Sequence, residues 1–260
     1  MTDLSVENAA RQLLDAERTA RPLCRLSDRT APLSVAEAYA VQGQRDALAQ
    51  AAGAEPVGFK IGLTSPAALK LFKASEPMRG VLYAHTRLTT PGRVDLQQMC
   101  SPRLEGEIIL KVGSSVSPDA SDRALLDSIA SVHAALEIAD SRIANWDIGI
   151  GEAIADNACC GRFAMVDAGL SPHAIDLSTV AMTITNDAGE VVSSGSGAAC
   201  MGSPLNAYRW LLTDLAKSGL ALSPGQIVLT GALGPVAHAH PGRAWHIGLS
   251  GLGELSVTAV

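Results

Sequence analysis

Glu105 and Glu107 stand two residues apart in an apolar run, Arg103-Leu104-Glu105-Gly106-Glu107-Ile108-Ile109-Leu110, and any fold of this chain must find a place for them. The segment from Ile108 to Val112 reads as a strand, and a strand sends residues i and i+2 to one face. Both carboxylates therefore point the same way, roughly 7 Å apart at the backbone by strand rise. Like charges buried at that separation are unfavourable unless a proton or a cation lies between them. Gly106 leaves room for a ligand to approach the backbone. Oxygen ligands arranged in this way hold a hard divalent cation. The competing reading is a solvent-facing stripe on an edge strand.

Composition narrows the partners. The chain has 260 residues, 47% hydrophobic and 18% charged, enough to build an ordinary globular core. With 3 Trp, 3 Tyr and 3 Phe, that core must rest on Ala, Leu, Val and Ile. A net charge of −6 without any Lys/Arg cluster argues against a nucleic-acid partner. Residues 1–20 mix apolar positions with Asp3, Glu7, Arg11, Asp15, Glu17 and Arg18, so no signal-peptide core is present. No stretch reaches the 18 or so uninterrupted apolar residues of a membrane span. The five cysteines, Cys24, Cys100, Cys159, Cys160 and Cys200, match no zinc spacing. Reduced thiols in a cytoplasmic protein, mostly serving as small core residues, are the expectation.

The first fifty residues read as two helices. Val6, Ala9, Ala10, Leu13 and Leu14 fall at helical spacing, and Ser34-Val35-Ala36-Glu37 is a capping box for a second helix that should stop at Gly53. A polar connection from Arg21 to Pro32 joins them. Beyond Gly53 the pattern turns to strands, at 57–62, 107–112, 132–138, 161–166, 179–186, 190–195, 226–230, 244–249 and 254–260. Ser65-Pro66 opens a short helix, Asn186-Asp187-Ala188-Gly189 marks a hairpin, and Ser203-Pro204 starts a helix that ends at Gly219. Strands and helices do not alternate regularly, which argues against a doubly wound parallel sheet. The fold class is α+β: an N-terminal helical part, 1–53, packed on a β-rich body, 54–260, as one structural unit.

Further polar residues have apolar neighbours. Glu137, in Ala135-Leu136-Glu137-Ile138-Ala139-Asp140-Ser141-Arg142, is either paired with a cationic side chain or a third metal ligand. Three carboxylates, with water or substrate at the remaining octahedral positions, suit Mg²⁺ or Mn²⁺. His133 is a structural residue or a group behind Glu137. Lys60, in Phe59-Lys60-Ile61, is an edge residue with its head in water, or it faces the cation with a lowered pKa and exchanges protons. Gly195-Ser196-Gly197 and Thr230-Gly231 are turns whose N–H groups could cradle an anion. Neither is a nucleotide fingerprint, and no nucleophile motif occurs.

Taken together, these residues form a recognisable series. Gly58-Phe59-Lys60-Ile61-Gly62-Leu63-Thr64-Ser65, Glu76-Pro77 with Gly80-Val81-Leu82, and Pro102-Arg103-Leu104-Glu105-Gly106-Glu107-Ile108 resemble the 2-keto-4-pentenoate hydratase family. So do Leu136 to Arg142, Ala155-Asp156-Asn157-Ala158, Gly197-Ala198-Ala199, Gly202-Ser203-Pro204-Leu205-Asn206 and Thr230-Gly231. That family includes sister 4-oxalocrotonate decarboxylases and lies within the fumarylacetoacetate-hydrolase fold. The resemblance spans nearly the whole chain, in order.

It implies a mixed β-roll core, a homo-oligomer, and Mg²⁺ or Mn²⁺ bound by Glu105, Glu107 and Glu137. It implies Lys60 as the catalytic lysine, and Leu63, Thr230 and Gly231 as substrate-binding, with the Thr230-Gly231 turn holding the substrate carboxylate. The implied reaction adds water to a 2-hydroxy-2,4-dienoate late in meta-cleavage degradation of aromatic compounds. Decarboxylation of a 4-oxalocrotonate-type diacid, acylpyruvate hydrolysis and a non-catalytic partner subunit are the alternatives. The chain departs from the family where hydratases read Pro-Asp-(Phe/Tyr)-Gly: it has Pro77-Met78-Arg79-Gly80. An acid is thereby lost, as in the sister decarboxylases, and Arg79 is gained, either to bind a substrate carboxylate or to form a surface pair. His85 is the nearby candidate to replace the acid. Cys159 and Ala232 stand where Ser is common.

Overall fold

The structure, a computed structural model, describes residues 5–24, 26 and 32–260. Ser5 Oγ accepts from Asn8 N–H to open helix α1 (Val6–Thr19), which buries Ala9, Ala10, Leu13 and Ala16. Ser34 and Glu37 close a reciprocal capping box on α2 (Val35–Ala51), and Gly53 follows at φ 93°. The expected Arg21–Pro32 connection lies in part outside the described residues.

The strands and helices that follow are β1 (Pro56–Gly62), α3 (Pro66–Phe72), β2 (Met78–Tyr83), β3 (Arg87–Leu88), β4 (Gly92–Val94), β5 (Pro102–Val112), α4 (Asp122–Asp127), β6 (Ile129–Asp140), α5 (Ile150–Ala155) and β7 (Arg162–Met165). Then come β8 (Ala181–Asn186), β9 (Val191–Ser196), α6 (Pro204–Lys217), β10 (Ile227–Leu229), β11 (Ala237–His238), β12 (Ala244–Leu249) and β13 (Gly253–Ala259). The expected strand positions hold within a few residues. The strands β2, β3, β4 and β11 were not expected, and β5 begins at Pro102, so both glutamates lie inside the strand rather than at its edge.

Among the described residues these strands form two sheets. The larger runs β2-β1-β10-β5-β6-β7-β3, with β11 also paired to β5; the smaller runs β4-β13-β12-β8-β9. Most pairs are antiparallel, but β1–β10, β3–β7 and β4–β13 are parallel. This is a mixed α+β architecture with curled sheets, as expected.

Alternation along β5 and β6 divides the molecule. Leu104, Ile108 and Leu110, with Leu136 and Ile138 on β6, join Met182, Ile184, Trp245, Ile247 and Val257 of the smaller sheet and Tyr208, Leu211 and Leu215 of α6 in the main core. The other face carries Arg103, Glu105 and Glu107 on β5 and Glu137 and Ala139 on β6. Gly106 therefore faces away from the carboxylates, and the expectation that it admits a ligand is corrected. A Cβ there would meet Met182 Cγ at 2.6 Å, so glycine lets the two sheets close. The N-terminal helices form a second core with Leu63, Met78, Ile143, Ala153 and Ile154. Gln42 Nε2 ties α2 to the body by donating to Arg79 O at 2.8 Å and Ile154 O at 2.9 Å. No described helix is long and apolar enough to cross a membrane.

Candidate metal centre and active-site pocket

Glu105 on β5 pairs in register with Glu137 on β6, and Glu107 lies one step further along the same face. One carboxylate oxygen from each of the three falls within 4.8 Å of the others. Glu107 and Glu137 are fully buried, whereas Glu105 is half-buried and opens on a pocket. Glu107 Oε1 and Glu137 Oε2 have no hydrogen-bond partner, and Glu137 Oε1 has only the ion pair with Lys60. Burial, then the charge on Glu137, pushes the Glu105 carboxyl up to about 7. The same two causes, followed by Glu105, hold Glu107 well above the ordinary carboxylate range. Buried acidic oxygens left without donors are costly, and a small divalent cation with a preference for oxygen is the group that relieves them. The donor set, three carboxylates without Cys or His, fits Mg²⁺ or Mn²⁺ better than zinc.

Lys60 comes from β1, an interior strand, so its head is buried rather than in water. Nζ lies 3.1 Å from Glu137 Oε1 and donates to Ala158 O at 2.8 Å. Burial disfavours its charge, but Glu137, then Glu105, outweighs that and holds the ammonium above its ordinary value. The expected fall in pKa is therefore corrected for this arrangement: the carboxylates dominate.

The acceptor for Lys60 is presented by an unusual turn. Asn157, Ala158 and Cys159 have φ of 54°, 52° and 54°, three successive non-glycine residues in left-handed conformation. Two devices hold them. Asn157 Oδ1 accepts from Val81 N–H at 2.7 Å while its Nδ2 donates to Val81 O at 2.9 Å, mimicking a strand pair. Asp156, buried, takes Arg142 Nε at 2.6 Å and Arg142 N–H at 2.9 Å. Arg142 also donates to the carbonyls of Asp156 and Cys160. Gly80 is required beneath the turn, since a Cβ would meet Asn157 O at 2.3 Å. This role of Asp156, Asn157 and Arg142 is not legible in the sequence, because left-handed non-glycine backbone has no composition signal.

The pocket beside the trio has a volume of about 500 Å³. Lys60, Leu63, Met78, Arg103, Glu105 and Trp146 contribute to its wall, with much of the rest apolar. Leu63, which the resemblance implies as substrate-binding, lies on this wall. Met78 lies close to Lys60, making the site of the missing acid apolar: a Cβ on Gly62 would be 2.8 Å from Met78 Cε and 3.7 Å from Lys60 Nζ.

Other expected residues lie elsewhere. Thr230 Oγ1 donates to Ile108 O at 3.0 Å, and Gly231 N–H donates to Glu107 Oε2 at 2.8 Å. The turn's donors are taken by Ile108 O and Glu107, which corrects the expectation that they stand free for the substrate carboxylate. Gly231, at φ 114°, is required there because a Cβ would sit 2.3 Å from Thr64 Oγ1. Arg79 is corrected likewise. Its guanidinium pairs with Asp214, donates to Ser218 Oγ at 3.2 Å and lies 4.5 Å from the Tyr39 ring centroid, a buried tie rather than a pocket residue. His85 is exposed and stacks on Tyr83, outside this pocket. His133 is structural, bonded to Ser131 Oγ and Val166 O. Gly195 and Gly197 press against the carbonyls of Leu233 and Leu177, leaving no anion cradle. The described cysteines are all unpaired, with Cys159, Cys160 and Cys200 buried.

No family model matches the chain. It is 34% identical over 256 residues to a 2-keto-4-pentenoate hydratase of Paraburkholderia xenovorans, covering 98% of this chain and 95% of that protein. A 2-hydroxyhexa-2,4-dienoate hydratase of Comamonas testosteroni is 31% identical over 255 residues, 97% of this chain and 96% of that one. Among solved structures, 4-oxalocrotonate decarboxylase from Pseudomonas putida G7, complexed with magnesium and adipate, superposes with a TM-score of 0.94 at 28% identity, covering 100% of this chain and 99% of that one. A fumarylpyruvate hydrolase from Pseudomonas aeruginosa, at 16% identity and a TM-score of 0.62 over 78% of this chain and 88% of that one, shares the fold alone. Identity at this level over nearly full length is decisive: the chain belongs to the 2-keto-4-pentenoate hydratase family.

Proposed function

We propose that this enzyme hydrates a 2-hydroxy-2,4-dienoate to a 4-hydroxy-2-oxo acid in the meta-cleavage degradation of aromatic compounds, with a divalent cation held by Glu105, Glu107 and Glu137. One observation carries the reading: three acidic side chains converge, and the buried Glu107 Oε1 and Glu137 Oε2 among them have no donor. A cation bound there, Mg²⁺ or Mn²⁺, supplies Lewis-acid polarisation of the substrate's 2-oxygen. Lys60 moves protons. Ketonisation takes a proton from the 2-hydroxyl and delivers one to carbon 5, and Nζ, fixed between Glu137 and Ala158 O, is the proton-bearing group at the pocket wall. Water then adds its oxygen to carbon 4 and a proton to carbon 3 of the conjugated enone. The apolar wall of Leu63, Met78 and Trp146 excludes bulk water and strengthens every electrostatic contact inside.

Decarboxylation of a 4-oxalocrotonate-type diacid is the second reading. It is favoured by the apolar Met78 where hydratases carry an acid, and by likeness to the Pseudomonas putida decarboxylase. A metal-supplemented assay with freshly generated 2-hydroxypenta-2,4-dienoate and 4-oxalocrotonate, following water uptake against CO₂ release, separates them. Hydration of the first without CO₂ from the second supports the proposal; the reverse overturns it. Assembly into a homo-oligomer belongs to the same reading and is checked by light scattering.

A further inference from the structure

Resting on the metal-dependent hydratase reading, we propose that Arg103 anchors the substrate's carboxylate and that the pocket is matched to a monoanionic 2-oxo acid with an uncharged tail. Arg103 sits two residues before Glu105 on the same face of β5, opposite the small Ala139 of β6, and both line the pocket. Its guanidinium carbon lies 4.1 Å from the centroid of the Trp146 ring. Trp146 is itself fixed, because its Nε1 donates to Ser101 O at 2.9 Å. Among the described residues the Arg103 guanidinium makes no hydrogen bond and no ion pair. A stacked, half-buried arginine whose planar fork of donors has no acceptor is prepared for a carboxylate.

The competing anchors are already engaged. Gly231 N–H is taken by Glu107, Thr230 Oγ1 by Ile108 O, and Lys60 is shared between Glu137 and Ala158 O. Charge balance points the same way. The three negative charges of the trio are matched by one divalent cation together with Lys60. Arg103 then leaves a single positive charge in the pocket, enough for one carboxylate and no more. The remaining wall is mostly apolar, including Leu63, Leu71, Phe72, Met78 and Val236, and beyond the hydroxyls of Thr64 and Ser65 it offers no cationic side chain to a second anionic group. An ionised carboxylate placed there would be desolvated without a counter-charge. A diacid is therefore disfavoured, and an alkyl or alkenyl tail is accommodated.

The test uses the Mg²⁺-loaded protein and two unreactive ligands, 2-oxopentanoate and the dianion 2-oxohexanedioate, with binding followed by calorimetry and by tryptophan fluorescence. The wild type is expected to bind the monoanion at least about tenfold more tightly than the dianion. Arg103→Met should weaken 2-oxopentanoate about 10- to 100-fold, the range for a lost charge-assisted hydrogen bond. Arg103→Lys should recover part of that loss. Mg²⁺ affinity measured without ligand should not fall in either variant, as a merely structural role for Arg103 would not allow. Tighter binding of the dianion by wild type, or wild-type affinity for 2-oxopentanoate in Arg103→Met with Mg²⁺ binding intact, overturns this proposal alone. Absence of Mg²⁺ binding by wild type overturns the underlying reading, and this one with it.

Discussion

Glu105, Glu107 and Glu137 were legible at the residue scale because the two cues that expose them, period-two spacing and apolar flanks, are written in the sequence. Arg79 was misread because its partners, Asp214 and Ser218, lie on and just after α6, far along the chain. No local pattern announces a pairing of that kind. Arg103 was overlooked for the complementary reason: a sequence shows that an arginine is present, but not that its charge has no partner. The placement of Arg79 makes a definite prediction. Arg79→Met should leave Asp214 without its counter-charge and cost about 3 kcal/mol of stability, in the range for a broken buried pair. It should leave KM for the dienoate unchanged. Urea unfolding and steady-state kinetics read the two effects separately, and a raised KM at unchanged stability would return Arg79 to the substrate.

At the scale of elements, alternation along β5 and β6 made most strands readable, since one face had to be apolar for the sandwich core and the other had to accept the carboxylates. Alternation turns Gly106 away from the carboxylates, but it could not reveal the partner there, Met182 of the smaller sheet, which the absent side chain admits. Gly106→Ala should therefore lower stability by about 1–3 kcal/mol, as overpacking does, without altering the cation site behind it. Denaturant unfolding and metal titration of the same sample check both halves. The left-handed turn at Asn157–Cys159 was equally hidden, yet it sets the carbonyl that holds Lys60. Asn157→Ala removes both bonds to Val81 and leaves that strand's N–H and C=O without their partner. The expected cost is about 1–3 kcal/mol. Released from its clamp, the Ala158 carbonyl should no longer fix Nζ, and kcat should fall further than KM rises. Retention of full kcat would mean that the turn serves packing only.

At the scale of the whole molecule, the fold concentrates negative charge where the N-terminal core, the larger sheet and the pocket meet, so global stability should report on the site. Glu105 is pushed to about 7 from an ordinary 4.5, by burial first and Glu137 second, and Glu107 shifts the same way. A carboxyl raised on folding favours the native state fully below its unfolded pKa and loses that contribution as pH rises through its folded pKa. The metal-free protein should therefore lose Tm between about pH 4.5 and 7 through these groups. A saturating divalent cation, by pairing the ionised forms, should flatten that slope and raise Tm most at the alkaline end. Thermal melts with chelator and with Mg²⁺ across this window check the sign. A slope unaffected by the cation would show that the trio is not its site.

The most direct measurement is an anomalous-scattering map of crystals soaked in Mn²⁺, collected for the wild type and for Glu107→Gln. A single strong peak among the carboxylates of Glu105, Glu107 and Glu137 is expected in the wild type. It should be lost or severely weakened in the variant, whose fold is otherwise unchanged by circular dichroism and whose turnover is abolished. No peak between those side chains, together with activity that survives both chelation and the substitution, would contradict the account.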